Sequence, residues 1–246
     1  MSVQALKHSS VPECLAMQSF QEGLCSGTPN RCRSQDRKKM PILSPSIATG
    51  FFVGAMMDKI LACAKAFEKL LDTQYFVTVA HKGNKIDFSI EFEIVDFHHL
   101  IGLHKLKDLR IAREEREDVF QKILDGKITD KDIKRSRHFS EIERRLELFI
   151  NFEDILDSNR LVFRYITPPS QFSLIQAEFL LSTPYQNEEV YIFVDKKEKS
   201  NEKYFCRSFF PKTNKDYSVG QTKYTLMYKE KRTLSTGEVL VQYERT

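Results

Sequence analysis

Three histidines fall within seven positions in the segment Phe97-His98-His99-Leu100-Ile101-Gly102-Leu103-His104-Lys105. Imidazole has an unperturbed pKa of about 6.5, which leaves both protonation states populated near neutrality, so such a cluster suits general acid and base chemistry. Lys105 adds a cation that would stabilise developing negative charge. If the segment is one helix, each residue advances about 100°. His104 then falls in the middle of the stripe made by Phe97, Leu100 and Ile101, His98 shares a separate face with Lys105, and His99 lies near Leu103 and Leu106. The three rings point three ways. Two metal ligands on one helical turn need i,i+3 or i,i+4 spacing, which positions 98, 99 and 104 do not offer, and this argues against a metal site built from this helix alone. On local grounds His98 reads as a solvated ring. His104 reads either as an acid-base group or as a ring filling space on the apolar stripe.

Further polar candidates lie far along the chain. Arg164 and Tyr165 sit on a predicted strand, and in Cys206-Arg207-Ser208-Phe209-Phe210 the alternation of a strand puts Arg207 and Phe209 on one face and Ser208 on the other. Tyr217 and Gln221 follow in a loop and strand start, with Lys223 just beyond. Arg207 is either a phosphate contact or the partner of an acidic neighbour on the sheet, and Ser208 either a site hydroxyl or a backbone hydrogen-bonder. Phe209 and Phe210 read as core rather than as platforms for stacked bases. The sequence has no GxSxG, phosphate-cradling glycine loop or HExxH, so the serine hydrolase, P-loop NTPase and zincin classes lose their usual support.

The elements that must hold these groups are legible from periodicity. In residues 57–72, Ile60, Leu61, Ala64, Phe67, Leu70 and Leu71 recur at helical spacing and predict a helix. Residues 75–95 alternate apolar and polar side chains on both sides of Lys82-Gly83-Asn84, the pattern of a hairpin with a glycine turn. Residues 96–106 predict a short helix capped by Asp96, and residues 111–157 a helical stretch with breaks near Gly126 and Ser140. From Arg160 onward six strand-like segments are separated by Pro168-Pro169, Thr183-Pro184, a Lys-rich loop, Pro211-Lys212-Thr213-Asn214 and Ser235-Thr236-Gly237. The expected fold class is α+β: an N-terminal helix and β-hairpin, a helical middle, and a C-terminal curved antiparallel sheet with the hairpin packed on or joined to it.

Composition bounds the partners. The 246 residues carry 38 Lys and Arg against 34 Asp and Glu, a net charge of +4, so nucleic-acid binding cannot be argued from net charge. Distribution is more telling, since residues 196–232 hold eleven basic and four acidic side chains, or +7. The expected cleft places His99 and His104 near Lys105 or Arg207, bordered by the basic strands 204–210 and 222–232. Cys14, Cys25, Cys32, Cys63 and Cys206 form no CxxC pair and read as reduced thiols. No stretch is long and apolar enough to span a bilayer and no secretory signal is apparent, so the expectation is a cytoplasmic protein with no membrane partner. Residues 1–55, rich in Ser, Gln and Pro with a basic run at 31–39, read as a disordered or loosely attached leader, and translation starting at Met56 or Met57 is one explanation for it.

Phe97 to Leu106, followed by Asp125-Gly126-Lys127-Ile128-Thr129 and Asp132-Ile133-Lys134, resemble the fourth phage-type family of Barnase-EndoU-Colicin-RelE-like (BECR) nuclease domains. Its members often show a phenylalanine, a histidine, then a Leu-Thr-Gly or Leu-Ile-Gly run. The similarity also takes in Ser208-Phe209-Phe210, Tyr217 and Gln221, and the nuclease domain is expected over 57–246. His99 matches the histidine before the Leu-x-Gly run, and His104 and Lys105 match the following His-Lys; Ile101 stands where many members have threonine. The resemblance implies a ribonuclease-type toxin or effector of phages and mobile elements, with a helical N-terminal part and a curved antiparallel sheet.

The expected activity is therefore RNA cleavage by 2′-hydroxyl attack without metal or cofactor, with His99, His104, Lys105, Arg207 and Ser208 as catalytic groups and Tyr217, Gln221, Lys223 and Arg164 as substrate contacts. RNA is the expected partner, with an immunity or antitoxin protein as a further one. Two alternatives stay open: a catalytically silent module binding RNA or protein, and a phage accessory structural protein. Convergence of His99, His104, Arg207, Ser208 and Gln221 in one cleft would favour the enzyme.

Overall fold

The computed structural model describes residues 58–167, 175–197 and 203–246; the expected leader and the Pro168-Pro169 separator lie outside them. Helix α1 (Lys59–Leu70) begins where Asp58 accepts from the Leu61 amide, and it buries Ile60, Cys63, Ala64, Phe67 and Leu70, the stripe its periodicity predicts. Asp58 also accepts from the Asp130 amide at 3.0 Å, while Asp130 accepts from the Ile60 amide at 2.9 Å, so α1 and the short α4 (Asp130–Ile133) cap one another. Strands β1 (Thr73–His81) and β2 (Asn84–Glu91) form the expected hairpin. Its two-residue turn has φ +49° at Lys82 and +83° at Gly83, the mirror-image geometry that matches strand twist.

The middle of the chain supplies α2 (Ile94–Leu100), α3 (Arg116–Leu124), α5 (Glu143–Phe149) and α6 (Phe152–Ser158), with breaks at Gly126 and at a 3₁₀ turn over Phe139–Glu141. The strands that follow are β3 (Leu161–Arg164), β4 (Phe179–Tyr185), β5 (Glu188–Lys196), β6 (Lys203–Pro211), β7 (Thr222–Thr233) and β8 (Val239–Glu244). Pro184 does not separate strands: it lies within β4, paired with Glu189, and the chain reverses at Gln186-Asn187 instead.

The sheet order is β1-β2-β6-β5-β4-β3-β7-β8, and β1 also pairs with β7, which closes a barrel from which β8 extends along β7. All pairings are antiparallel except β2 with β6, which pair in parallel only at Ser89–Lys203 and Ile90–Tyr204. Beyond Tyr204 the edge of β6 is therefore free of β2, and α2 and α5 pack there. The inner face is filled by Phe88 stacked on Phe179 with Tyr204 alongside. Toward the helices it is filled by Phe209 against Phe149 and Phe152. Phe67 sits among Phe92, Phe97, Phe120 and Phe149 and joins the helices into one apolar layer. A second, smaller cluster of Tyr165, Leu180, Tyr191 and Phe193 covers the outer face of β4 and β5.

Three sequence expectations change here. Helix α2 starts one turn earlier than the Asp96 cap implies: Glu93 is the cap, and Asp96 accepts from the Glu93 amide at 2.9 Å in a reciprocal box. His98 is not solvated; it is 3% exposed and donates Nε2–H to the Ile111 carbonyl at 3.0 Å. The +7 segment is not an open basic face. Lys203 pairs with Glu91, Lys212 with Glu189 and Asp216, Lys231 with Glu153 and Asp157, and Arg232 with Glu230. Lys229 is buried and donates to the carbonyls of Leu156 and Asp157 at the end of α6. Part of the local excess charge on the sequence is thus offset in space by carboxylates from other elements, Glu91 of β2, Glu189 of β5 and Glu153 and Asp157 of α6.

Candidate active site

Helix α2 ends at Leu100 because Gly102 takes φ +88°, a left-handed conformation that a β-carbon disfavours. The chain turns through a 3₁₀ segment, Leu103–Lys105, and comes back beside its own helix. On an unbroken helix His99 and His104 would lie about 140° apart. With the break their rings stack face to face, centroids 4.1 Å apart and planes 10° from parallel. The continuous wheel, and the three directions it implied, does not hold.

Strand β6 contributes its own irregularity. Phe193 pairs with Ser208 but Val194 pairs with Cys206, so Arg207 is the extra residue of a β-bulge. Alternation breaks at that point: Tyr204 and Cys206 are buried, the next buried residue is Phe209, and Arg207 and Ser208 both remain partly exposed. Arg207 and Phe209 therefore do not share a face. The bulge turns Arg207 and Ser208 together toward the histidines while Phe209 enters the core.

These two irregularities meet in a cleft of about 750 Å³ that receives His99, His104 and Lys105 from the broken helix, Arg144 and Arg145 from α5, Arg207, Ser208 and Phe210 from β6, and Tyr217 from the loop beyond. Phe210 and Tyr217 form an aromatic wall continuous with Tyr191 and Phe193. Glu141 also lines the cleft and bonds to His138 Nδ1 at 2.9 Å. The cleft is bordered by β6 as expected, but β7 contributes no lining side chain, so strand 222–232 is not its other border.

Sequence reasoning missed Glu141, Arg144 and Arg145 of this cleft, and Arg145 is the buried one. Its signal was present, because Ile142, Arg145, Leu146 and Phe149 have i, i+3, i+4, i+7 spacing and Arg145 is a cation in the middle of an apolar stripe. It is 5% exposed, forms no ion pair among the described residues, and donates Nη1–H to the Leu100 carbonyl at 3.3 Å. Its guanidinium lies 5.7 Å from the Phe210 ring centre. The other arginines of the cleft are neutralised: Arg207 pairs with Asp195 at 2.9 Å, and Arg144 with Glu188 and Glu147.

Burial, and then the Arg145, Arg116 and Arg207 charges, push His99 down to about 4. Burial, followed by His99 and Arg145, pushes His104 down to about 3. Both rings are neutral at pH 7 and able to accept a proton. Burial and Arg145 also lower Lys105. A neighbouring concavity of about 230 Å³ shares His99 and Arg207 with the cleft and adds Asp96 and Arg116; burial raises the Asp96 carboxyl to about 6.

Of the residues the sequence nominates, His99, His104, Lys105, Arg207, Ser208 and Tyr217 converge. Gln221 does not line the cleft; its amide exchanges two hydrogen bonds with the backbone of Ile166, both 2.8 Å. Arg164 is paired with Glu178 and lies over Phe179. Lys223 lines a separate concavity with Arg160, Tyr224, Tyr243 and Arg245. Among the described residues no group of three or more His, Cys, Asp or Glu side chains is placed to hold a metal ion, and no helix is long and apolar enough to cross a membrane. Cys63 and Cys206 are buried free thiols.

No curated protein and no solved structure matches the chain. Residues 59–246 match the family described as phage-Barnase-EndoU-ColicinE5/D-RelE like nuclease4. That span begins at the first residue of α1 and takes in every described element, the broken helix and the bulged strand included. The chain is thus a member of this nuclease family, as the residues around His99 and His104 led one to expect.

Proposed function

We propose that the chain is an endoribonuclease that cleaves RNA by attack of a 2′-hydroxyl on the adjacent phosphorus. The observation that carries this reading is the stacked pair of neutral imidazoles, His99 and His104, in a cleft whose other walls present Lys105, Arg145, Arg207 and Ser208. A neutral imidazole takes the 2′-hydroxyl proton, the 2′-oxygen bonds to phosphorus, and the bond to the 5′-oxygen breaks as that oxygen gains a proton. The products are a 2′,3′-cyclic phosphate and a 5′-hydroxyl. In this reading His99 is the base. His104 then serves as the acid once the negative substrate has restored its proton. The cations hold the charge that builds on the non-bridging oxygens, and the Ser208 hydroxyl adds a donor.

The nucleophile belongs to the substrate, so positioning does much of the work and the reading needs no metal-activated water or cofactor. RNA is the proposed substrate, the cytoplasm the proposed site of action, and an immunity or antitoxin protein the proposed partner that would cover the cleft. Incubating purified protein with total RNA in chelator tests this. Discrete fragments ending in 2′,3′-cyclic phosphate are expected from the wild type and none from the His99→Ala, His104→Ala double variant. RNA binding without cleavage would favour the silent module instead.

A further inference from the structure

We propose that a notch on the side of the barrel away from the cleft is a second binding site, one that takes single-stranded RNA remote from the bond to be cut. It rests on the ribonuclease reading only for the identity of the strand as RNA. Strand β7 gives one edge to β1 and divides the other between two partners: β3 pairs with Thr222, Lys223 and Tyr224, and β8 pairs from Tyr228 to Arg232. The Arg245 amide still reaches the Met227 carbonyl, but among the described residues no strand pairs with Thr225 or Leu226 on that second edge. The gap opens into a concavity of about 530 Å³ lined by Arg160, Lys223 and Arg245 together with Tyr224 and Tyr243. Counted round the barrel, β7 lies three strands from β6 in one direction and four in the other, so the notch and the cleft bordered by β6 are on opposite sides.

Charge sets this notch apart from the rest of the basic C-terminal third. Lys203, Lys212, Lys231 and Arg232 each have a carboxylate, whereas Arg160, Lys223 and Arg245 have none among the described residues. No acidic side chain lines the concavity. Glu244, the neighbour of Arg245, stands opposite Tyr228 on the other face of β8. Cations gathered without a counter-charge repel one another, and an anionic ligand relieves that repulsion. Arg160 is also fixed in advance: it donates to the carbonyls of Asp157, Asn159 and Gln242 at 3.1, 2.8 and 3.2 Å, and its guanidinium lies 5.3 Å from the Tyr243 ring centre. A charge already held in place loses little freedom on binding.

The ligand that joins repeated negative charge to flat apolar faces is a nucleic-acid strand. Tyr224 and Tyr243 are half-exposed beside the three cations. Aromatic rings next to a positive groove hold unpaired bases by stacking, with little regard to their sequence. A duplex hides those base faces, and an acidic peptide would use the charges and leave the rings idle.

The probe is a fluorescent strand of about 20 nucleotides of 2′-O-methyl RNA, longer than one such site and lacking the hydroxyl that cleavage needs. It is titrated into the full chain at several salt concentrations. The Lys223→Ala, Arg245→Ala double variant is expected to bind at least tenfold more weakly, with the slope of log affinity against log salt reduced by about 0.7 for each residue. Lys131→Ala, which removes an exposed cation of α4, is expected to bind as the wild type does. Tyr243→Leu should lose at least fivefold in affinity and Tyr243→Phe should keep it, a distinction that charge alone does not produce. Should Tyr243→Leu fail to fold, a photoreactive 4-thiouridine strand decides, since it must crosslink to Tyr224 or Tyr243 of the wild type. Affinity indifferent to the double variant overturns the site. So does a double variant that loses poly-glutamate and RNA binding equally while Tyr243→Leu leaves RNA binding intact, for the notch is then a surface for acidic polypeptide. If the strand binds as expected and RNA is not cut, the notch stands as a nucleic-acid site and the ribonuclease reading falls. If RNA is cut in a His99- and His104-dependent way while affinity ignores Lys223 and Arg245, the reverse holds.

Discussion

A β-carbon built on Gly102 would approach Nη1 of Arg145 to 3.2 Å and Cγ2 of Ile142 to 2.9 Å, so the glycine that breaks helix α2 is also packed against the buried cation of the cleft. Two demands converge on one residue: a φ of +88° and the absence of a side chain. Gly102→Ala should cost about 1–3 kcal/mol, from left-handed strain together with displacement of Ile142 or Arg145. Because the turn sets the stacking of His99 on His104, cleavage per folded molecule should fall as well. Denaturant unfolding measures the first effect, and RNA cleavage under conditions where the variant is folded measures the second. A variant of unchanged stability would show that the loop relaxes freely.

The adjacent histidines separate stability from chemistry. His98 is buried and satisfied by the Ile111 carbonyl outside the cleft of His99 and His104. His98→Ala leaves a cavity and an unpaired carbonyl, so it should lower stability by about 1–3 kcal/mol while leaving cleavage per folded molecule within about threefold. His99→Ala should do the opposite, keeping the unfolding midpoint and losing about 10²-fold or more in rate, the scale of a missing general base. Equal stability losses in the two variants would place His99 in the core rather than in the chemistry.

What the sequence discloses about this site depends on whether local periodicity governs a residue. The helix from Lys59, the hairpin around Lys82-Gly83 and the run of C-terminal strands follow from patterns of 3.6 and 2, and the structure has them. The closure of β1 onto β7 does not, because strand pairing between distant segments leaves no local trace. The cleft is built where periodicity fails, at the left-handed Gly102 and the bulge at Arg207, and a regular wheel or a regular alternation assigns both segments wrongly. The unexplained charge on an apolar stripe at Arg145 was legible in principle. The long-range ion pairs of Lys203, Lys212 and Lys231 were not, since Glu91, Glu189, Glu153 and Asp157 lie on β2, β5 and α6, far along the chain.

The depressed imidazoles make stability depend on pH with a definite sign. In the unfolded chain these rings titrate near 6.5. In the folded protein His99 titrates at about 4 and His104 at about 3. Between these limits the unfolded state holds more protons, so stability rises with pH and is progressively lost as pH falls below 6.5. Asp96, raised to about 6, acts in the opposite direction over part of the window, which makes the difference between variants the cleaner observable. Unfolding free energies from pH 4.5 to 7.5 should show a steeper slope in the wild type than in a His99→Gln, His104→Gln double variant. Identical slopes would mean that the rings are hydrated enough to titrate normally.

The bulge in β6 makes neighbouring substitutions diverge. Phe209 is fully buried, its ring edge-on to Phe149 and Phe152 at 5.5 and 4.9 Å, so Phe209→Ala should cost about 3–5 kcal/mol through lost packing and a cavity. Arg207, two residues earlier, would lie on the same face of a regular strand and suffer a comparable burial. Instead it is partly exposed and its one ion pair, to Asp195, is of the surface kind whose worth is about 0–1 kcal/mol. Arg207→Ala should therefore leave the unfolding midpoint nearly unchanged. Its effect belongs to the substrate: if the guanidinium exchanges Asp195 for a phosphate, removing it weakens RNA binding and reduces the slope of log affinity against log salt by about one. Binding of a non-cleavable, 2′-deoxy-substituted RNA at several salt concentrations measures that slope. An unchanged slope would show that Asp195 keeps Arg207 in the complex, leaving Lys105 and Arg145 as the cations that meet the phosphate.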